Sequence, residues 1–186
     1  MKIVKESIDF SNKLFEIGEA NIAYEWEFLG LSGNTWAYSF ETEDGDHYMV
    51  AINIKEYGAD TAKVDFGIYE EDNHLTNKIT NKGRILKILS TVVETIIHFL
   101  ITNYEHGHNY NILIQAAKEK DADDRRFKIY LQFVEKQIHQ LFKNAKVNII
   151  DIDTEGDEKL FNKGIFVENI FDNIDNNELR KYWKHN

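Results

Sequence analysis

The chain has 186 residues, enough for one domain with a substantial core, and its 42% hydrophobic content is typical of a soluble globular protein. Cysteine is absent, which excludes disulfides, thiolate metal sites and cysteine nucleophiles. Proline is absent as well. The net charge of −10 argues against a broad surface for binding nucleic-acid phosphates.

The first 20 residues suit a short amphipathic helix that ends near Gly18. They lack the apolar stretch and small-residue cleavage site of a signal peptide. The longest apolar run, near residues 92–101, is broken by Glu94 and His98. We therefore expect synthesis in the cytoplasm and no contact with a membrane.

Four segments with alternating apolar residues follow, at 21–28, 35–42, 47–55 and 62–70. Such alternation is typical of strands with one buried face. Asp44-Gly45-Asp46 lies between the second and third segments and predicts a tight turn. The four segments therefore predict an antiparallel meander.

The hydrophobic period then changes from 2 to 3.6, which predicts a buried helix near residues 84–103. A short apolar strand is expected near 110–117, a second amphipathic helix near 122–143, and two closing strands at 147–152 and 164–167. The fold class is therefore α+β: an antiparallel meander followed by α-β-α and a C-terminal β-hairpin, within one mixed sheet.

We place the domain at residues 1–168 and an acidic, Asn-rich tail at 169–186. The tail is too polar to fold alone, so its aromatic residues Phe171, Tyr182 and Trp183 are expected to dock on the domain or on a partner.

This order of elements resembles the GNAT acyltransferase superfamily over roughly residues 20–168. In that family a glycine-rich loop opens the first core helix and holds the coenzyme A pyrophosphate. The corresponding positions are Thr80-Asn81-Lys82-Gly83-Arg84-Ile85, so the resemblance implies Lys82, Gly83 and Arg84 as cofactor-binding residues for acetyl-CoA. Only one loop glycine is retained, and Ile85 would obstruct close approach of a phosphate.

The resemblance also implies a catalytic acid, because a tyrosine early in the second helix protonates the departing thiolate in GNAT enzymes. Tyr130 occupies this position. The general base would be Asp65 or Tyr69, on the strand before the loop. Packing of Tyr130 in the core and solvent exposure of Asp65 are the simpler readings of both residues.

A second resemblance is to a family of uncharacterised tailed-bacteriophage proteins with a degenerate GNAT-like fold. It rests on Thr80-Asn81-Lys82-Gly83, on the helix phrase at 87–93, and on Arg126-Phe127-Lys128-Ile129-Tyr130. This resemblance implies a non-enzymatic, multi-copy structural component of the virion that contacts other phage proteins and carries no cofactor. The first alternative is an N-acetyltransferase that uses acetyl-CoA, and a remote one is an acidic anti-defence or DNA-mimic protein.

Aromatic residues in polar segments and a basic pair at a helix start are candidates for the interface of such a component. They are Trp36, Arg125, Arg126, Phe171, Tyr182 and Trp183. The two arginines are equally suited to pair with neighbouring aspartates. His106 and His108 flank a glycine without a third spaced ligand, so no metal site is expected.

Overall fold

The computed structural model describes residues 23–55, 58–69, 75–76, 85–115, 124–151, 163–168 and 170–172. Within these ranges the side chains of residues 76, 115, 124–129, 151 and 163 are not described. The strands are β1 (Trp26–Ser32), β2 (Thr35–Glu41), β3 (His47–Lys55), β4 (Gly58–Tyr69), β5 (Leu75–Thr76), β6 (Asn111–Gln115), β7 (Lys146–Asp151) and β8 (Lys163–Glu168). The helices in the described ranges are α1 (Ile85–Glu105) and α2 (Asp124–Leu141).

The described strands form one mixed sheet in the order β1-β2-β3-β4-β6-β8-β7, with the short β5 paired to the end of β4. The first four strands are an antiparallel meander, β4 and β6 are parallel, and β8 pairs antiparallel with both β6 and β7. The predicted α+β class and the order meander, α-β-α, hairpin are therefore confirmed.

The core lies between one face of the sheet and the two helices. Alternate residues of the meander point into it, and Tyr38, Val50, Ile52 and Val64 have no exposed surface. Val134 and Ile138 of α2 belong to the same cluster, so both helices cover the same face. The other face carries small and polar side chains such as Ala37, Ser39 and Ala51, all of them half-buried.

Helix α1 is the central element of this core. It is long and apolar enough to cross a membrane by length and composition, but 67% of the relevant window is buried inside the protein, as expected for a core helix. Asn103 closes its C-terminus, because its backbone carbonyl accepts hydrogen bonds from the amides of His106 and His108. Gly107, with φ +81°, supplies the left-handed residue that this ending requires.

The first strand differs from its predicted position. The alternation predicts a strand over 21–28, whereas β1 begins at Trp26 and continues to Ser32. A β-bulge between Phe28 and Gly30 shifts the register, and this irregularity hides the second half of the strand from pattern analysis. The turn at Asp44-Gly45-Asp46 is confirmed, since Gly45 has φ +82° and its amide donates to the Thr42 carbonyl.

Candidate functional site

The two parallel strands of the described sheet, β4 and β6, are neighbours. Their described pairing runs from Thr61 opposite Asn111 to Val64 opposite Ile114, and the residues that follow Gln115 lie outside the described part of the chain. Strand β4 continues to Tyr69, and on the same side it next pairs with β5 at Ile68. Residues 65–67 of β4 therefore have no described strand beside them on this side.

We call the space beside these three residues, as far as the sheet is described, the gap. It lies at the carboxyl ends of the parallel strands, which is the position where open α/β sheets bind ligands. Gly67 occupies the gap, and a glycine inside a strand commonly marks a place where a ligand or another backbone approaches closely.

The N-terminus of α1 lies at the same end of the sheet. Lys87, in its first turn, is 2.6 Å from Glu43 in the turn between β2 and β3. That turn is adjacent to Tyr48, which pairs with Ile68 near the carboxyl end of β4. The loop with Lys82, Gly83 and Arg84 lies outside the described residues. Ile85, expected from the sequence in a phosphate-binding position, packs against the hydrophobic core.

Asp65 and Tyr130 lie on opposite sides of the sheet. Asp65 is half-buried on the face away from the helices, and its carboxylate lies 3.2 Å from the Lys63 ammonium. Tyr130, on α2, is buried in the hydrophobic core on the helix side. The acid and base implied by the GNAT resemblance are therefore not on the same face of the sheet.

A second group of polar side chains lies where α1 crosses β1 and β2. The indole N–H of Trp26 donates to the Glu94 carboxylate at 3.2 Å, and the Tyr38 hydroxyl lies 3.0 Å from His98 Nδ1. The Trp26 ring also packs edge-on against both Tyr38 and His98, with centroids 5.5 and 5.2 Å away. We call Trp26, Tyr38, Glu94 and His98 the aromatic–acid cluster.

Burial moves every titratable group of the aromatic–acid cluster toward its neutral form. It raises the pKa of the Glu94 carboxyl, although the hydrogen bond from Trp26 opposes this shift. It lowers the pKa of His98 and raises the pKa of the Tyr38 phenol. A neutral imidazole offers one acceptor nitrogen, and the Tyr38 hydroxyl is placed to donate to it.

Nearer the start of α1, the same face of the helix makes contacts with the residues before β1 and with the turn between β2 and β3. The Tyr24 hydroxyl donates to Glu43 at 2.5 Å, and the Lys87 ammonium lies 4.0 Å above the Tyr24 ring. Hydrogen bonds from Lys87 and then Tyr24 lower the pKa of Glu43 to about 2. The Tyr24 backbone amide donates to Thr91 Oγ1 at 2.8 Å, which attaches the chain before β1 to α1.

Sequence reasoning missed the aromatic–acid cluster. Its signal was present, because Glu94 and His98 interrupt an apolar helix at a spacing of four residues and so lie on one face. Their partners could not be found from the sequence, since Trp26 precedes Glu94 by 68 residues and Tyr38 precedes His98 by 60.

The predicted interface residues lie in several environments. Trp36 is half-buried and packs edge-on against Phe99 and beside Phe28. Phe171 is buried, stacked on Tyr104 with centroids 4.1 Å apart, so its contacts lie within the chain. Arg125 and Arg126 belong to the first turn of α2, but their side chains are outside the description, as are Tyr182 and Trp183 entirely.

The histidines after α1 make ordinary local contacts. The His106 ring nitrogen Nδ1 lies 2.7 Å from the Thr102 carbonyl, and the His108 ring lies beside Tyr110. Within the described part of the chain no group of three or more His, Cys, Asp or Glu side chains is arranged to hold a metal ion.

The described fold is a mixed α+β domain with two helices and one parallel strand pair, β4 and β6. No protein-family model matches the sequence, and no curated protein matches it. Among solved structures, a chain described as a "putative acetyltransferase" from Sphaerobacter thermophilus is similar at 11% identity and a TM-score of 0.31. The similarity covers 89% of this chain and 87% of that one, and at this TM-score it carries no argument about function.

Proposed function

We propose that the chain binds an acyl-coenzyme A in the gap between β4 and β6 and acts as a GNAT-type N-acyltransferase. The observation that carries this proposal is the parallel pair β4 and β6, together with the N-terminus of α1 at the same end of the sheet as the carboxyl end of β4. Under this proposal the amide groups of the coenzyme's pantetheine arm would run alongside β4 near Gly67.

The residues around the gap suit this coenzyme. Gly67 presents no side chain, so a thioester can approach the β4 backbone closely. The N-terminus of α1 lies at the same end of the sheet, where its partial positive charge favours phosphate groups. Lys82, Gly83 and Arg84 precede this helix in the chain and would contact the pyrophosphate.

Acyl transfer needs a base for the acceptor amine and an acid for the departing thiolate. Under this proposal Asp65 is the base and Tyr130 the acid. Asp65 is held by Lys63 at 3.2 Å, so the acceptor amine would replace Lys63 as the partner of the carboxylate. Tyr130 would donate its phenolic proton to the coenzyme sulfur from the opposite side of the gap.

Calorimetric titration with acetyl-CoA tests the proposal, with an expected dissociation constant on the order of micromolar. Gly67→Val would place a side chain where the thioester approaches the β4 backbone and should abolish the heat of binding. Ala37→Val is the matched control, because it adds a side chain to the same face of the sheet at β2, away from the gap. Thermal unfolding verifies that both variants fold, and absence of binding to the natural chain would refute the proposal.

A second candidate function is the non-enzymatic one, an interaction component of a tailed-phage particle in contact with other virion proteins. Exposed apolar side chains on β1, namely Phe28, Leu29 and Leu31, favour a role in binding other proteins. Mass spectrometry of purified virions tests it, since a structural component would be present in every particle and a purely intracellular protein would be absent.

A further inference from the structure

Strand β1 forms one edge of the sheet and carries an unusual share of exposed apolar surface. Phe28, Leu29 and Leu31 are 39, 50 and 56% exposed. They are three of the five large hydrophobic residues that are exposed in the described part of the chain, the others being Tyr69 and Ile149. Among the described residues no strand pairs with the outer side of β1, so β1 is an edge strand of the described sheet, the kind of strand to which another segment can add.

The bulge in β1 keeps its apolar side chains on the side of the sheet that faces the helices. Trp26 and Phe28 pair with core-facing residues of β2 and therefore point toward the helix side. The register shift before Gly30 brings Leu31 opposite Trp36, which returns Leu31 to the same side. The helix side of the edge is thus continuously apolar, whereas Glu27, opposite Ser39, points to the other side.

The side of β1 away from the helices is acidic. Glu27 is exposed on that side, and Glu25, immediately before the strand, is exposed between Tyr24 and Trp26, which both pack toward the core. At the end of β2, Glu41 is exposed too, and its carboxylate lies 3.7 Å from His47 Nδ1. A strand added to β1 would meet carboxylates on one side and aromatic or aliphatic surface on the other.

We propose that β1 receives an extended segment of a partner protein in which basic residues alternate with apolar ones. In an added strand successive side chains point to opposite faces. Basic residues would face Glu25 and Glu27, while apolar residues would cover Phe28 and Leu31. A second copy of this chain fits less well, because antiparallel pairing of two β1 strands would bring two acidic edges together on a protein of net charge −10.

This inference is independent of acyl transfer, and it specifies the partner chemistry for the second candidate function. The probe is a fluorescently labelled peptide of alternating lysine and valine, and binding is followed by anisotropy. It should bind at least tenfold more tightly than a peptide of the same composition with lysines and valines in separate blocks. N-methylation of the amides along both edges of the alternating peptide should abolish binding, because pairing with β1 needs its N–H groups.

Variants of the chain locate the site. The double variant Glu25→Lys and Glu27→Lys should lose the lysine peptide and gain an alternating glutamate–valine peptide. Leu31→Ser should weaken binding several-fold, whereas Ile149→Ser, an exposed apolar residue on the opposite edge strand β7, should leave it unchanged. Measuring peptide binding keeps this test separate from virion content and from acetyl-CoA titration.

Three results would overturn the inference. If the alternating and block peptides bound equally tightly, the binding would depend on net charge alone and not on strand pairing. Concentration-dependent dimerisation that Leu31→Ser abolishes would make a second copy the occupant. No binding at millimolar peptide would mean that the glutamates and the bulge only protect an exposed edge from aggregation.

Discussion

Replacement of Phe171 by alanine should destabilise the whole domain, although Phe171 lies in the segment expected from the sequence to be a tail. The ring is 9% exposed, is stacked on Tyr104 at 4.1 Å and meets Phe142 edge-on at 5.4 Å. A buried Phe→Ala change costs about 3–5 kcal/mol, and aromatic pairs contribute about 0.5–1.5 kcal/mol beyond burial. Because the site is near the surface, we expect about 3 kcal/mol.

Urea unfolding followed by circular dichroism measures this loss as a lower midpoint at unchanged slope. For a domain of this size, about 3 kcal/mol also lowers Tm by roughly 6–12 °C. Ile149→Ala is the control, since Ile149 is 46% exposed and its truncation should cost less than about 1 kcal/mol. A loss below 1 kcal/mol for Phe171→Ala would show that residues 170–172 do not pack as described.

The remaining predictions concern titratable groups on α1 and in the turn it contacts. Burial lowers the pKa of His98 below 6.5, so the folded chain should lose stability as the pH falls below about 6.5. Urea unfolding at pH 5 and at pH 7 should show a smaller loss for the His98→Gln variant than for the natural chain. Burial raises the pKa of Glu94 above 4.5, so ionisation of this carboxyl should reduce the stability of the folded chain at pH 7. The Glu94→Gln variant should therefore be more stable than the natural chain at pH 7 but not at pH 4. A carboxyl NMR titration should find the pKa of Glu43 near 2, and Lys87→Met should return it toward 4.5; an unchanged value would show that the bond to Lys87 does not form in solution.

The order of elements could be predicted because each long element carries its own period. The stripe of α1 and the alternation of β3 are local signals, and their observed bounds differ from the predicted ones by at most two residues. Strand β5 has two residues and was not predicted, because no period can be read from so short a segment. The bulge in β1 cancels the alternation that would have extended the strand to Ser32.

The candidate sites could be predicted less well, because they depend on distances in the folded chain. The gap beside Gly67 is defined by the described pairing of β4 with β6, and no residue type in the sequence marks where that pairing lies. The pairing of Tyr38 with His98 likewise follows from how α1 crosses the sheet. Sequence patterns indicate which face of an element is buried, but they do not indicate which polar side chains meet across it.

The placement of Asp65 and Tyr130 constrains any chemistry in the gap. Asp65 alternates with the core residues Val64 and Phe66, so it points away from the helices, whereas Tyr130 lies with those residues in the core. A base and an acid on opposite faces cannot exchange a proton directly, but they can serve two different groups of one reacting carbonyl. Under the acyltransferase proposal this arrangement suffices, because the attacking amine loses its proton and the departing thiolate gains one at separate bonds of the tetrahedral centre. A reaction in which a base and an acid must act in turn on the same oxygen would instead need both groups on one face of the sheet.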